Sequence, residues 1–139
     1  MEYDAVCYFD GACGPVNPGG TVGWGYTIRD RNGDTIAEDF GSLPPSKDNS
    51  NNVAEYLAAA KAVVAYKRLN RPGPLVMKGD SQLVVKQMKG EWSAKQGSYM
   101  PVYRKLLEVL WTCTFPLEWT WIPREQNTHA DALSKRALS

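Results

Sequence analysis

The distribution of apolar residues along the chain predicts a group of strands before any helix. Residues 5–10 are apolar up to a terminal carboxylate, a pattern typical of a strand that is buried on both faces. Residues 22–28 place Trp, Tyr and Ile on one face by alternation, which also indicates a strand. An Asn-Gly hairpin signal then leads into Thr35–Leu43. The first third of the chain is therefore expected to form three strands.

The rest of the chain alternates helical periodicity with short apolar runs. Helices are predicted over 52–69, 81–88 and 101–111. A last helix is expected to be capped by Asn127 and to end at Leu138. Strands are predicted at Leu75–Gly79 and 117–122. In the resulting order β-β-β-α-β-α-α-β-α, a helical crossover allows strand four to lie parallel to strand one. This predicts a mixed α/β fold with one domain over residues 1–139.

Length and charge narrow the class of protein. A chain of 139 residues is large enough to bury roughly two thirds of its unfolded surface. Its net charge of +1 means that any nucleic-acid site must be a local arrangement of cations. The three cysteines lack the spacing of a zinc site or a disulfide framework, so reduced thiols are expected. Because there is no leader-like start and no membrane-length apolar run, a cytoplasmic protein without membrane association is predicted.

Four carboxylates fall at the predicted ends of these elements. Asp10 closes the first strand, and Asp80 follows the fourth. Glu55 and Asp131 are expected in the first turns of the long helix and of the last helix. Each has an alternative structural role. An Asp-Gly pair is common in hairpin turns, Glu55 could complete a capping box, Asp80 could cap a helix, and Asp131 could complement a helix dipole.

Taken together, the four carboxylates favour a metal site. Parallel neighbouring strands would bring Asp10 and Asp80 to the same rim of the sheet, where ligands gather in open α/β folds. A single histidine and unpaired cysteines disfavour zinc. Carboxylate oxygens suit Mg²⁺ or Mn²⁺, whose charge would offset the repulsion between the acids. Two such ions about 4 Å apart could clamp the attacking and leaving oxygens of a phosphoryl displacement.

Four short motifs, in order and spread over nearly the whole chain, resemble those of type 1 ribonucleases H. They are YFDG at 8–11 with NPG at 17–19, SNNVAE at 50–55, GDSQLV at 79–84 and PREQNTHAD at 123–131. The resemblance implies a ribonuclease H-like fold, a five-stranded mixed sheet flanked by helices. It also implies Mg²⁺-dependent hydrolysis of the RNA strand of RNA/DNA hybrids, which leaves 5′-phosphate and 3′-hydroxyl ends.

The resemblance assigns a role to each carboxylate. Asp10 would bridge two metal ions, and Asp131 would help to hold the ion that activates water. Glu55 and Asp80 would hold the ion near the leaving oxygen. The partner implied is the hybrid duplex, with no obligate protein partner evident.

The resemblance also points to residues that would contact the hybrid: Gly11, Asn17, Ser50, Asn51, Asn52 and Gln82. Amide side chains can sense a 2′-hydroxyl, which is both donor and acceptor. Glycine permits close approach of the backbone, and Ser50 could donate to a phosphate of the DNA strand. Helix capping at residues 50–52 and an ordinary turn at Asn17 are the alternative roles.

A short basic segment follows the predicted Asp80 helix: Lys86, Lys89, Trp92 and Lys95. It could form a surface for the DNA strand, or a solvated face with one packed Trp. Some type 1 relatives carry a longer basic insertion here and others a separate hybrid-binding domain. This sequence is expected to be the compact form without either, with weak and salt-sensitive binding.

The loop before the last helix carries Arg124 where many relatives have a histidine. Arg124 could assist charge stabilisation, or it could form a surface ion pair with Glu125 or another neighbour. His129 lies two residues before Asp131 on the helix and is expected to be exposed and non-catalytic. Cleavage of double-stranded RNA or of DNA, and a non-catalytic binding domain, are the alternative functions.

Overall fold

The computed structural model describes residues 3–139 and contains a five-stranded sheet with the order β3-β2-β1-β4-β5. In chain order the elements are β1 (Ala5–Gly14), β2 (Thr21–Asp30), β3 (Thr35–Leu43), α1 (Asn51–Arg68), β4 (Leu75–Gly79), α2 (Gln82–Met88), α3 (Met100–Trp111), β5 (Leu117–Trp121), a 3₁₀ turn (Arg124–Gln126) and α4 (Thr128–Arg136). The predicted fold and element order are confirmed. None of the helices described is both long and apolar enough to cross a membrane.

The sheet is mixed because β1 pairs differently with its two neighbours. β1 runs antiparallel to β2 from Ala5 opposite Asp30 to Gly14 opposite Thr21. Its parallel ladder with β4 covers only residues 5–8. The prediction that Asp10 closes the first strand is therefore wrong, since the strand continues to Gly14. Asp10 nevertheless lies just past the end of the parallel ladder, where a cleft can open between β1 and β4.

α1 and α4 cover opposite faces of the sheet. A Cβ at Gly11 would overlap the backbone of Ala54 in α1, so only glycine allows this strand and this helix to approach so closely. Gly25 faces the other way, and a Cβ there would come within 2.6 Å of the Leu133 Cβ in α4. The apolar residues of β1 that face α1, including Cys7 and Phe9, are fully buried.

The helix starts differ in detail from the predictions. α1 begins at Asn51 because the Ser50 hydroxyl accepts a hydrogen bond from the Val53 N–H at 3.2 Å. Glu55 lies beyond the first turn and has no part in that cap. α2 is capped in the same way by Ser81 rather than by Asp80. The capping alternatives for both acids are therefore wrong.

The last helix begins and ends differently from the prediction. Asn127 precedes α4, but its side chain makes no capping hydrogen bond. Instead, its Nδ2 donates to the Phe9 carbonyl oxygen at 2.9 Å. The helix ends at Arg136, two residues before the predicted Leu138.

Candidate active site

Three elements deliver three carboxylates to the rim of the sheet beyond the β1–β4 ladder. The ladder ends with Tyr8 opposite Lys78, and Asp10 and Asp80 each lie two residues beyond that pair. Glu55 reaches the same point from α1. Each of Asp10, Glu55 and Asp80 offers a carboxylate oxygen, and these oxygens lie within 4.8 Å of one another. The predicted parallel pairing of strands one and four thus brings Asp10 and Asp80 together, and α1 adds Glu55.

Asp131 reaches the cleft from the first turn of α4. Its N–H donates to the Asn127 carbonyl oxygen at 3.0 Å, which fixes the start of the helix. Its carboxylate lies 3.1 Å from the Lys135 Nζ and 3.9 Å from an Arg124 guanidinium nitrogen. All four predicted acids line one open cleft of about 260 Å³. Among the four acids, only Asp131 forms ion pairs within residues 3–139.

Burial and mutual repulsion set the protonation of the three clustered acids. Asp10 is only 4% exposed and Glu55 only 8%. Burial raises the pKa of Asp10 to about 7, and the charges of Asp80 and Asp131 contribute to the rise. Burial and the charge of Asp10 raise the pKa of Glu55 well above its usual range. The pKa of Asp80 is also raised, mainly by burial.

The pKa of Asp131 moves the other way. Burial alone would raise it, but the hydrogen bonds with Asp10 and Lys135 and the positive charges of Lys135 and Arg124 outweigh burial. The pKa of Asp131 is therefore lowered, and this acid stays ionised where its neighbours tend to hold protons.

The donor set fits hard divalent cations. The Glu55 Oε2 atom is buried and has no hydrogen-bond partner among residues 3–139. A buried oxygen of this kind is costly unless something binds it. The cluster offers only carboxylate oxygens, which suit Mg²⁺ or Mn²⁺, and a cation there would offset both the burial of these charges and the repulsion between them.

Arg124 and His129 have separate surroundings. Arg124 lines the carboxylate cleft and forms an ion pair with Asp131 rather than with Glu125. Its side chain is 72% exposed. The His129 Nε2 atom lies 2.6 Å from the Glu38 Oε1 atom on β3, and the imidazole is half exposed. His129 does not line the carboxylate cleft.

Most of the predicted hybrid contacts line a second cleft of about 510 Å³, which holds Asn17, Ser50, Asn51 and Asn52. Its other wall is formed by residues 97–99. Asn51 lines both clefts and so marks where they meet. Gly11 lines the carboxylate cleft, whereas Gln82, exposed at the start of α2, lines neither.

Two of the amides in the second cleft are held by the backbone. The Asn17 Oδ1 atom accepts from the Asn51 N–H at 3.1 Å, and the Asn51 Oδ1 atom accepts from the Cys13 N–H at 2.9 Å. Both side chains therefore have a fixed orientation, with the amide nitrogen left as the donor. A turn role and a contact role for Asn17 are compatible.

The basic segment after α2 is a solvent-facing surface. The Trp92 side chain is 45% exposed, so it is not a packed core residue. The Lys86 Nζ atom lies 5.7 Å from the Trp92 ring centroid, a cation–π distance. Lys89 and Lys95 are exposed.

Three side chains, Gln87, Asn127 and Lys135, support the site in ways that the sequence analysis did not predict. Gln87 accepts from the Tyr56 hydroxyl and donates to Tyr99 Oη and Ser93 O, so it joins α1 to the loop after α2. Asn127 ties α4 to β1 beside Asp10. Of the three, only Lys135 has a sequence signal, the i,i+4 spacing from Asp131.

Comparisons with known proteins agree with this architecture. Residues 8–137 match the model of a family described as reverse transcriptase-like. A ribonuclease H of Jannaschia sp. (strain CCS1) is 32% identical over 150 residues, which cover 98% of this chain and 92% of the relative. A ribonuclease HI of Halobacterium salinarum is 35% identical over 134 residues, which cover 94% of this chain and 62% of the relative.

Among solved structures, LC11-RNase H1 in complex with an RNA/DNA hybrid has a TM-score of 0.86 and 28% identity, over 96% of each chain. The resemblance found in the four sequence motifs is confirmed by relatives that match nearly the whole chain. The chain belongs to the type 1 ribonuclease H family.

Proposed function

We propose that this protein is an endoribonuclease that hydrolyses the RNA strand of RNA/DNA hybrids and leaves 5′-phosphate and 3′-hydroxyl ends. The observation that carries the proposal is the convergence of Asp10, Glu55 and Asp80 within 4.8 Å at the rim of the sheet. A binding module gains nothing from holding buried negative charge against phosphates. The ribonuclease names of the relatives, and the hybrid bound to LC11-RNase H1, support this choice of substrate.

Each carboxylate has a distinct part in the proposed two-metal reaction. Asp10 would bridge two Mg²⁺ ions, for which Mn²⁺ could substitute. Glu55 and Asp80 would hold the ion on the leaving-oxygen side, and Asp131 would help to hold the ion on the water side. When bound, the two ions would supply positive charge to the attacking and leaving oxygens.

Protons on the carboxyl groups couple the site to pH. Because the pKa of Glu55 is well above its usual range and that of Asp10 is about 7, these groups must lose protons when a cation binds. Asp131 needs no such loss, since Lys135 and Arg124 hold it in its ionised form. Arg124, an exposed residue of the cleft, would also stabilise charge on the phosphate, but it cannot donate a proton at neutral pH.

The second cleft is proposed to hold the minor groove of the hybrid. Asn51 lies where the two clefts meet, so a strand bound to its amide would continue to the carboxylates. The fixed amide nitrogens of Asn17 and Asn51 could donate to a 2′-hydroxyl or a base edge. Ser50 and Asn52 complete that wall, and Gly11 would let a strand approach the β1 backbone. Gln82, outside both clefts, would contact the hybrid from α2.

Cleavage of matched duplexes tests this proposal. RNA/DNA, RNA/RNA and DNA/DNA duplexes of one sequence, and the single-stranded RNA, are end-labelled and incubated with and without Mg²⁺. We expect cutting of the RNA strand of the hybrid alone, with Mg²⁺ required and no cutting by Asp10→Asn. Asp34→Asn, which changes an exposed acid in the β2–β3 turn, is the matched control and should cut normally.

Other outcomes of the duplex experiment contradict specific parts of the proposal. Comparable cutting of RNA/RNA would mean that the second strand can carry 2′-hydroxyls, and the proposed recognition of a DNA strand would be wrong. Binding of the hybrid without cutting by the wild-type protein would mean that the carboxylates do not form a working site. Cutting by the Asp10→Asn protein would show that the reaction does not require the Asp10 carboxylate.

Metal binding can be tested without substrate. A ligand that binds only the folded state stabilises it by about 2.7 kcal/mol at a hundredfold excess over its dissociation constant. Mg²⁺ should therefore raise the melting temperature of the wild-type protein in a saturable way. Asp34→Asn should respond like the wild type, and the combined change Asp10→Asn with Asp80→Asn should not respond.

A further inference from the structure

A cavity of about 470 Å³ lies outside the carboxylate cleft, between the turn that joins β2 to β3 and the start of α4. Its floor includes Val6 and Tyr8 of β1. Arg29 and Arg31 line one side, and Asn127 and His129 line the other. None of the four site carboxylates lines it. The cavity therefore has its own chemistry, separate from the proposed reaction.

The lining of the cavity has a net positive charge, since it contains two arginines and one carboxylate. Neither Arg29 nor Arg31 forms an ion pair within residues 3–139. The Arg29 Nε atom is buried and lacks a hydrogen-bond partner in that part of the chain. One carboxylate, Asp30, also lines the cavity, but its Oδ1 atom accepts the N–H groups of Asn32 and Asp34 in the turn. A buried guanidinium N–H of this kind favours an anionic acceptor.

The start of α4 adds further donors. Because the Asn127 side chain donates to Phe9, it does not cap the helix. The N–H groups of Thr128 and His129 are in the first turn, where an α-helix offers no internal acceptor, and both residues line the cavity. An uncapped helix N-terminus beside two arginines is suited to phosphate oxygens.

Asn127 supplies an independent indication of a ligand. It is 1% exposed and lines the cavity, and its Oδ1 atom has no hydrogen-bond partner among the residues described. This oxygen needs a donor, which a bare phosphodiester oxygen cannot provide. A phosphomonoester can, because its second pKa is near 6 and it can retain a hydroxyl proton. A ligand with both negative oxygens and a hydroxyl could accept hydrogen bonds from the arginines and donate one to the Asn127 Oδ1 atom.

We propose that this cavity binds a phosphomonoester group, with its oxygens on Arg29, Arg31 and the N-terminus of α4 and a ligand hydroxyl donating to the Asn127 Oδ1 atom. The group could be free inorganic phosphate or the terminal phosphate of a nucleotide. The Glu38 carboxylate, which lies 2.6 Å from the His129 Nε2 atom, does not line the cavity.

Binding is tested by titration in EDTA, so that no divalent ion can link phosphate to the carboxylate cleft. The probes are inorganic phosphate, adenosine 5′-monophosphate and a short DNA oligonucleotide without terminal phosphates. The readout is the ¹H–¹⁵N spectrum, in which the backbone amide of His129 and the Nε–H of Arg29 should shift and saturate. We expect phosphate or the nucleotide to bind and the oligonucleotide to leave these two signals unchanged.

Two variants and a control decide the assignment. Arg29→Gln should weaken binding by about tenfold or more, the loss typical of a charge-assisted hydrogen bond. Arg31→Gln, in the exposed turn, should also weaken it and keeps the test valid if Arg29→Gln misfolds. Arg104→Gln, an exposed arginine on α3, should bind as the wild type does.

Three results would overturn the proposal. The first is the absence of a saturable shift with both phosphate and the nucleotide. The second is equal affinity for the Arg31→Gln and Arg104→Gln proteins, which would indicate non-specific attraction. The third is equal binding of the oligonucleotide at these signals, which would make the cavity a contact for phosphodiesters. Since the titration needs neither Mg²⁺ nor cleavage, its result is independent of the proposed nuclease activity.

Discussion

Replacing Asp10 by asparagine should make the metal-free protein more stable at alkaline pH. Burial, together with the neighbouring acids, raises the pKa of Asp10 from 3.8 to about 7 in the folded state. Between those two values the folded protein binds more protons than the unfolded chain. Its stability must therefore fall as the pH rises through this window, and the full penalty remains above it. An asparagine side chain at this position would carry no charge and would escape this penalty.

The size of the effect follows from the pKa shift. A rise of about three units corresponds to on the order of 4 kcal/mol at pH 8, because each unit is worth 1.36 kcal/mol. Little of this is screened by solvent, since Asp10 is only 4% exposed. The Asp10 Oδ1 atom accepts from the Gly11 N–H at 2.9 Å, and an asparagine oxygen can keep that bond. The gain in the free energy of unfolding of Asp10→Asn over the wild type should therefore vanish near pH 4 and reach a few kcal/mol at pH 8.

Urea denaturation followed by circular dichroism, in EDTA at pH 5 and pH 8, measures this difference. The matched control is Asp131→Asn, because the hydrogen bonds and cations around Asp131 outweigh its burial and lower its pKa. That change should give no gain at pH 8. If Asp10→Asn is no more stable than Asp131→Asn at pH 8, the burial of a charged Asp10 among other acids does not destabilise the folded protein, and the reasoning above is refuted.

Three further changes test the surroundings of the site. Gly11→Ala should cost about 1–3 kcal/mol, because the added Cβ overlaps the backbone of α1, and thermal denaturation would show it. Asn127→Ala should cost about 1–3 kcal/mol by leaving the buried Phe9 carbonyl unpaired; a urea midpoint equal to that of the wild type would contradict this. Arg124→Ala should move the acidic limb of the pH–kcat profile upward, since Arg124 lowers the pKa of Asp80; an unmoved limb would exclude that influence.

The sequence was sufficient to place Asp10 beside Asp80. A helical crossover makes strands one and four parallel, and the residue that follows each apolar run then lies on the same rim. The bounds of β3 and β4 agree with the Asn-Gly hairpin signal and with the short apolar run that predicted them. These features depend on signals carried by neighbouring residues, which is why they could be predicted.

Other features depend on single contacts between distant parts of the chain. Residues 11–14 extend β1 because β2 supplies hydrogen-bond partners, although Gly-Ala-Cys-Gly has no strand-like apolar pattern. Nothing local distinguishes an asparagine that caps a helix from Asn127, which reaches back 118 residues to Phe9. The opposite pKa directions of Asp10 and Asp131 follow from burial and from cations that only the folded chain brings together.

Several departures from local rules lie at the carboxylates and at the start of α4. Asp10 and Glu55 are acids in a nearly dry environment, Glu55 has an unpaired oxygen, and α4 starts without a side-chain cap. A missing cap alone typically costs about 1 kcal/mol. The helix starts at Ser50 and Ser81 are capped by serine hydroxyls, whereas α3, like α4, starts without a side-chain cap. Since a protein keeps such local costs chiefly where a ligand relieves them, the clustering itself favours bound cations at the carboxylates and a bound anion at the start of α4.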